Sequence, residues 1–123
     1  MTAPAIAPVP AVGSVAPDFS LASTSGATVT LSELRGTPVL LAFFPLAFTS
    51  VCTAEMCAFG DEWDAFAATG VRVLPISVDA TPSLSEFKAK TGVAVDFLSD
   101  FRREASRAYG TLIEERYFSN RAY

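Results

Sequence analysis

The chain contains no histidine. That absence removes Cys-His proteases, Ser-His-Asp hydrolases and every metal site built on imidazole. It has only 2 cysteines, Cys52 and Cys57, too few to complete a tetrahedral zinc site. Charge is sparse: 18% of residues are Asp, Glu, Lys or Arg, and 9 basic residues against 13 acidic ones give a net charge of −4. No basic stripe exists, so nucleic-acid binding is not expected. No apolar run approaches the length that crosses a bilayer, so no membrane association is expected either. The start, MTAPAIAPVPAVG, lacks a basic region and a continuous apolar stretch, and is a poor signal peptide. The protein is therefore expected in the cytoplasm, where two cysteines are more often reduced or redox-active than a permanent staple. No phosphate loop or dinucleotide fingerprint is present, so no cofactor is implied.

What is present is apolar. Hydrophobic residues make up 50% of the 123, enough for one domain with a core. Residues 1–14 read as a flexible Pro/Ala-rich tail and residues 15–123 as the domain. Ala16 to Ser23 alternates like a strand. A Ser25-Gly26 turn leads to a second strand near Thr28 to Leu31. LSELRG reads as one helical turn stopped by Gly36. TPVLLAFFP is a continuous apolar run ending in Pro45, the pattern of a strand buried on both faces. Thr49 to Ala68 is helical, with Met56, Phe59, Trp63 and Phe66 spaced for a core face and Gly70 as its stop. VRVLPISVD is the next buried strand. SLSEFKAKTG is a helix with Ser83 as N-cap and Gly92 beyond its end. VDFLSD is a short strand, REASRAYG a short helix, and the last twelve residues a hairpin turning near Ser119-Asn120. The charged faces around Lys88, Lys90, Arg102 and Arg103 are expected to be simply solvated. Strands alternating with helices argue for an α/β sheet with helical crossovers.

The chemistry concentrates in FFPLAFTSVCTAEMCAF, residues 43–59. A free thiol has a pKa of about 8.5, which a helix N-terminus lowers to roughly 3.5–7.5. Cys52 falls where the apolar strand gives way to the helix, so free N–H groups and the positive end of the dipole lie near its sulfur. Thr49 offers a hydroxyl to the sulfur or to a bound oxygen substrate. Pro45 can fix the loop and cover a thiolate from water. On these grounds alone, a reactive thiolate and a small buried hydrophobe stand as equal alternatives.

Pro45, Thr49 and Cys52 match the Pro-x-x-x-Thr-x-x-Cys signature of the peroxiredoxins, and the chain from about Val15 to Tyr123 resembles that family. FFPLAFT and LSDF are especially similar to the alkyl hydroperoxide reductase E branch, and NRAY to the segment that carries the family's arginine. The resemblance implies a thioredoxin-like α/β fold, a central mixed sheet flanked by helices. It implies a thiol-dependent peroxidase in antioxidant defence, acting on hydrogen peroxide and organic hydroperoxides. Cys52 would be the peroxidatic cysteine, Thr49 would hydrogen-bond the peroxide, Pro45 would shield the site, and Arg121 would hold the developing charge. Glu55 would orient that arginine. Phe43, Phe44 and Phe48 flank the motif as an apolar collar favouring organic hydroperoxides, or, for Phe43, as core.

The Cys-x4-Cys spacing is instead similar to the Q-type, bacterioferritin comigratory protein-like branch, in which the second cysteine resolves the first as a disulfide. Cα atoms five apart in an intact helix are roughly 8.7 Å apart, and a disulfide needs less than about 7 Å. A Cys52–Cys57 bond thus requires the helix to unwind locally. Otherwise thioredoxin, a glutaredoxin-like protein, mycothiol or another low-molecular-weight thiol reduces Cys52. A homodimer is implied by resemblance only. Family members continue with further strands and a closing helix, so the chain is expected to be truncated at its C-terminus. The rival expectations are a thiol–disulfide oxidoreductase on the same fold, weakened by the absence of Cys-x-x-Cys, and a non-catalytic fragment.

Overall fold

The computed structural model describes residues 6–44, 47, 62–113, 118–119 and 121–122, with side-chain surroundings given through residue 112. β1 (Ser20–Ser23) and β2 (Thr28–Thr30) form an antiparallel pair with Leu21 opposite Val29. Gly26, at φ +89°, closes the turn by donating its N–H to the Ser23 carbonyl at 3.0 Å. The strand expected from Ala16 begins only at Ser20. Pro17 has no N–H for a ladder, and its carbonyl instead accepts the Tyr109 hydroxyl at 2.6 Å. The expected helical turn is a 3-10 turn over Leu31–Leu34.

β3 (Val39–Phe43) runs parallel to β4 (Arg72–Ser77), with Leu41 opposite Leu74. Because side chains alternate along a strand, the apolar run feeds two cores. Ala42, Phe44 and Val73 join one with Trp63, Leu84, Phe87 and Phe97. Leu41, Phe43, Leu74 and Ile76 join the other with Phe19, Leu21, Ala105 and Tyr109. The strand buried on both faces is thus present, and for the reason its sequence gives.

The helical residues 62–68 (α1) lie between β3 and β4 and are closed by Gly70 at φ +93°. Trp63 is buried, but Phe66 is 50% exposed, against the expectation of a core face. Three residues turn a helix by about 300°, so Phe66 sits at the stripe's edge. α2 (Thr81–Thr91) is capped by Ala80, not Ser83. Pro82 supplies a preset φ in the first turn, where its missing N–H costs nothing. Leu84 and Phe87 are fully buried, and Gly92, at φ +73°, ends the helix as expected.

β5 (Leu98–Ser99) pairs parallel with β4 and antiparallel with β1. α3 (Glu104–Ala108) follows. β6 (Leu112–Ile113) pairs with β7 (Phe118–Ser119), so Ser119 lies in a strand and not in the expected turn at Ser119-Asn120. β8 (Arg121–Ala122) pairs antiparallel with β3. The main sheet has the order β2-β1-β5-β4-β3-β8. It is a thioredoxin-like mixed sheet with helices in its crossovers.

Lys88 is not simply solvated. It is half-buried and reaches Asp96 at 2.7 Å. Burial alone pushes the Asp96 carboxyl up, but hydrogen bonds from Lys88 and Thr24 and the charge of Lys88 bring it below its ordinary value. Ahead of β1, the Ala7 N–H reaches the Arg107 carbonyl at 2.8 Å. Gly110 lies beneath this segment, where a Cβ would stand 2.6 Å from the Ala7 oxygen. Its φ of +65° also favours glycine. Among the described residues, no helix is long and apolar enough to cross a membrane.

Candidate active site

In sheets of this kind, reactive and binding groups gather beyond the carboxyl ends of the parallel strands. Here those ends are Phe43, Ser77 and Ser99. The chain leaving β3 is held at two points. The Phe44 N–H donates to the Ile76 carbonyl at 2.9 Å, extending the β3–β4 pairing by one step. The Ala47 N–H donates to Asp79 Oδ2 at 2.9 Å, a bond spanning 32 residues of sequence.

Asp79 is itself fixed. The Ser77 hydroxyl donates to the same Oδ2 at 2.8 Å, and the Asp79 N–H returns to Ser77 Oγ at 3.2 Å. The Ser99 hydroxyl donates to the Asp79 carbonyl at 2.6 Å. The Asp100 N–H meets the Ser77 carbonyl at 2.7 Å. Ser77 and Ser99 are both buried, and these bonds give their hydroxyls the partners that burial demands.

A second carboxylate, Asp100, lies one step further and is buried. Asp100 Oδ1 accepts the Ala105 N–H at 3.1 Å. Its Oδ2 accepts the Ser106 N–H at 2.7 Å and the Ser106 hydroxyl at 2.6 Å. The two amides are free backbone donors at the start of α3. Burial pushes the Asp100 carboxyl above its ordinary value, against the pull of those three bonds, and Glu104 adds to the rise.

The residues expected to carry chemistry fall unevenly on this frame. Pro45, Thr49, Cys52, Glu55 and Cys57 lie outside the described residues. Arg121 is described as backbone in β8, directly opposite Phe43. The topology thus brings the Arg121 position to the strand end from which the Pro45–Cys52 segment departs. Phe43 and Phe44 are each 3% exposed, so they are core and not a collar. Phe43 packs on Tyr109 with ring centroids 5.6 Å apart. Phe44 stacks on Phe87 at 6.2 Å and meets Phe97 at 5.7 Å. Phe48 lies outside the described residues. Asp79 was not singled out from the sequence. Its signal was an acidic residue two positions past the end of an apolar parallel strand.

A parallel strand end with Ala47 tethered beyond it and an antiparallel strand beside it belong to a thioredoxin-like fold. The AhpC/TSA family model matches residues 12–123. A Coxiella burnetii protein named as peroxiredoxin bcp is 34% identical over 110 residues, which are 89% of this chain and 73% of that one. The chloroplastic peroxiredoxin Q of rice is 38% identical over 98 residues, 80% of this chain and 45% of that one. The crystal structure of peroxidoxin BcpB from Mycobacterium tuberculosis superimposes with a TM-score of 0.72 at 28% identity, over 88% of this chain and 71% of that one. The chain belongs to the AhpC/TSA family. Its relatives here are of the bcp and Q kind, the branch to which the Cys-x4-Cys spacing points.

Proposed function

We propose that the protein is a thiol-dependent peroxidase whose reactive group is the Cys52 thiolate. The observation that carries this reading is the placement of the Pro45–Thr49–Cys52 motif. It follows a parallel strand buried on both faces, in a chain whose family match spans residues 12–123. The Cys52 sulfur attacks the terminal oxygen of a hydroperoxide. The S–O bond forms as the O–O bond breaks, and the departing oxygen takes a proton and leaves as water or an alcohol. Cys52 is left as a sulfenic acid. Thr49 hydrogen-bonds the peroxide and Pro45 excludes water. Arg121 supplies positive charge where negative charge develops, and Glu55 orients it. The pairing of Arg121 with Phe43 supports this role, because it sets the arginine's backbone at the root of the motif.

Cys57 then attacks the sulfenic sulfur, releasing water and forming a Cys52–Cys57 disulfide. An external dithiol protein or small thiol reduces it in turn. The setting is cytoplasmic antioxidant defence, and the working unit is a homodimer. Mass spectrometry after one equivalent of hydrogen peroxide tests the sequence of steps. The expected product is the internal disulfide. In Cys57→Ser, the expected product is a Cys52 sulfenic acid that a dione reagent traps. Two intact thiols beside unreacted peroxide would overturn the reading; sulfenic acid without disulfide in the native chain would remove Cys57 from it.

A further inference from the structure

We infer that Asp79 is a positioning residue for the peroxide reaction, acting through the amide of Ala47, which stands between Pro45 and Thr49 in sequence. This rests on the reading of Cys52 as the reactive thiol. Pro45 stands in sequence between two tethers, the Phe44 bond to Ile76 and the Ala47 bond to Asp79. The first only continues the sheet. The second leaves the sheet and uses a side chain, so the place of Ala47 is set by Asp79 and by whatever fixes Asp79. Three bonds do so: two with Ser77 and one from the Ser99 hydroxyl. Ser77 and Ser99 close adjacent parallel strands, so Ala47 is referred back to β4 and β5 rather than to its own strand alone.

An aspartate that merely closed its own turn would need only the exchange with Ser77. The bond to Ala47 spans 32 residues and ends five positions before Cys52. Charge and tether are separable. Asp79→Asn removes the charge and keeps a carbonyl oxygen to accept from Ala47 and Ser77. Asp79→Ala removes both.

The test compares the rate of Cys52 oxidation by hydrogen peroxide in the native chain and both variants. The pH midpoint of Cys52 alkylation by iodoacetamide is read alongside. Asp79→Ala is expected to slow oxidation by at least about tenfold, the rate equivalent of one hydrogen bond to a charged acceptor. Asp79→Asn is expected to recover most of that rate. The alkylation midpoint of Asp79→Ala is expected above that of Asp79→Asn, a shift that loss of stability alone does not produce. A native rate in Asp79→Ala, or equal slowing in two cooperatively folded variants, would overturn the inference. Hydrogen exchange at the Ala47 amide reads the tether without reference to activity: protection lost in Asp79→Ala and kept in Asp79→Asn is expected, and unchanged protection would overturn it. A native chain whose Cys52 ignores peroxide would instead refute the peroxidase reading.

Discussion

Phe97→Ala is expected to destabilise the protein by about 3–5 kcal/mol, the usual range for removing a buried phenyl ring. Phe97 is fully buried, and three aromatic rings converge on it. Phe44 lies at 5.7 Å, Phe87 at 5.9 Å and Trp63 edge-on at 6.5 Å. These rings come from the end of β3, from α2 and from α1, so one truncation opens a void among three elements. Backbone bonds hold Phe97 in place and limit collapse into that void. Its N–H donates to Thr24 Oγ1 at 3.1 Å, and its carbonyl accepts the Thr24 N–H at 3.0 Å. Folded domains are stable by only about 5–15 kcal/mol, so the loss is a large fraction of the total. Urea titration checks it, with the midpoint expected to fall and the slope to hold. Because Phe44 immediately precedes Pro45, the variant is also expected to slow Cys52 oxidation under conditions where it remains folded. Phe66→Ala, at an exposed position on α1, is the control and is expected to change stability by less than about 0.5 kcal/mol.

Asp100→Ala is expected to cost about 3 kcal/mol, because it leaves three buried donors of Ala105 and Ser106 without an acceptor. Asp100→Asn keeps one oxygen and is expected to lose less than Asp100→Ala. The two variants also separate the hydrogen bonds from the charge. Burial raises the Asp100 carboxyl above its ordinary 3.8. A raised value in the folded state means that the fold binds this proton more tightly than the unfolded chain does. The contribution of this group is therefore fully present below 3.8 and is lost as pH climbs through the raised value. Wild type is expected to gain on Asp100→Asn as pH falls from 7 toward 4. Urea melts of both proteins at those two values check the sign; a gap that is constant or moves the other way would contradict it.

The fold was most legible where one stretch carried its own signal. The VLLAF stretch inside TPVLLAFFP read correctly as β3 because every position in it is apolar, and the run feeds two cores in alternation. Gly92 ended α2 as expected because the helix closes there in the left-handed region. The misreadings came where a distant partner or an unweighed residue decided the outcome. Ser83 looked like an N-cap, but the cap is Ala80, three residues earlier, with Pro82 in the first turn. Ser119-Asn120 looked like a hairpin turn, yet the next two residues leave the hairpin and pair with β3. Lys88 read as solvated because its carboxylate partner, Asp96, stands beyond the end of its helix. The candidate site divides in the same way. Pro45, Thr49 and Cys52 form a local motif and could be read directly, whereas Asp79 acts across 32 residues and leaves no spacing to read.

The central claim is that Cys52 is a peroxide-reactive thiolate. It is tested most directly by mixing reduced protein with one equivalent of hydrogen peroxide and following Trp63 fluorescence, with Cys52→Ser as control. Trp63 is the only tryptophan and packs edge-on against Phe97, in the core that also holds Phe44 at the loop's root. The account predicts a fast fluorescence change that consumes the peroxide and disappears in the variant. A rate no better than that of a free thiol, or one unchanged by Cys52→Ser, would contradict it.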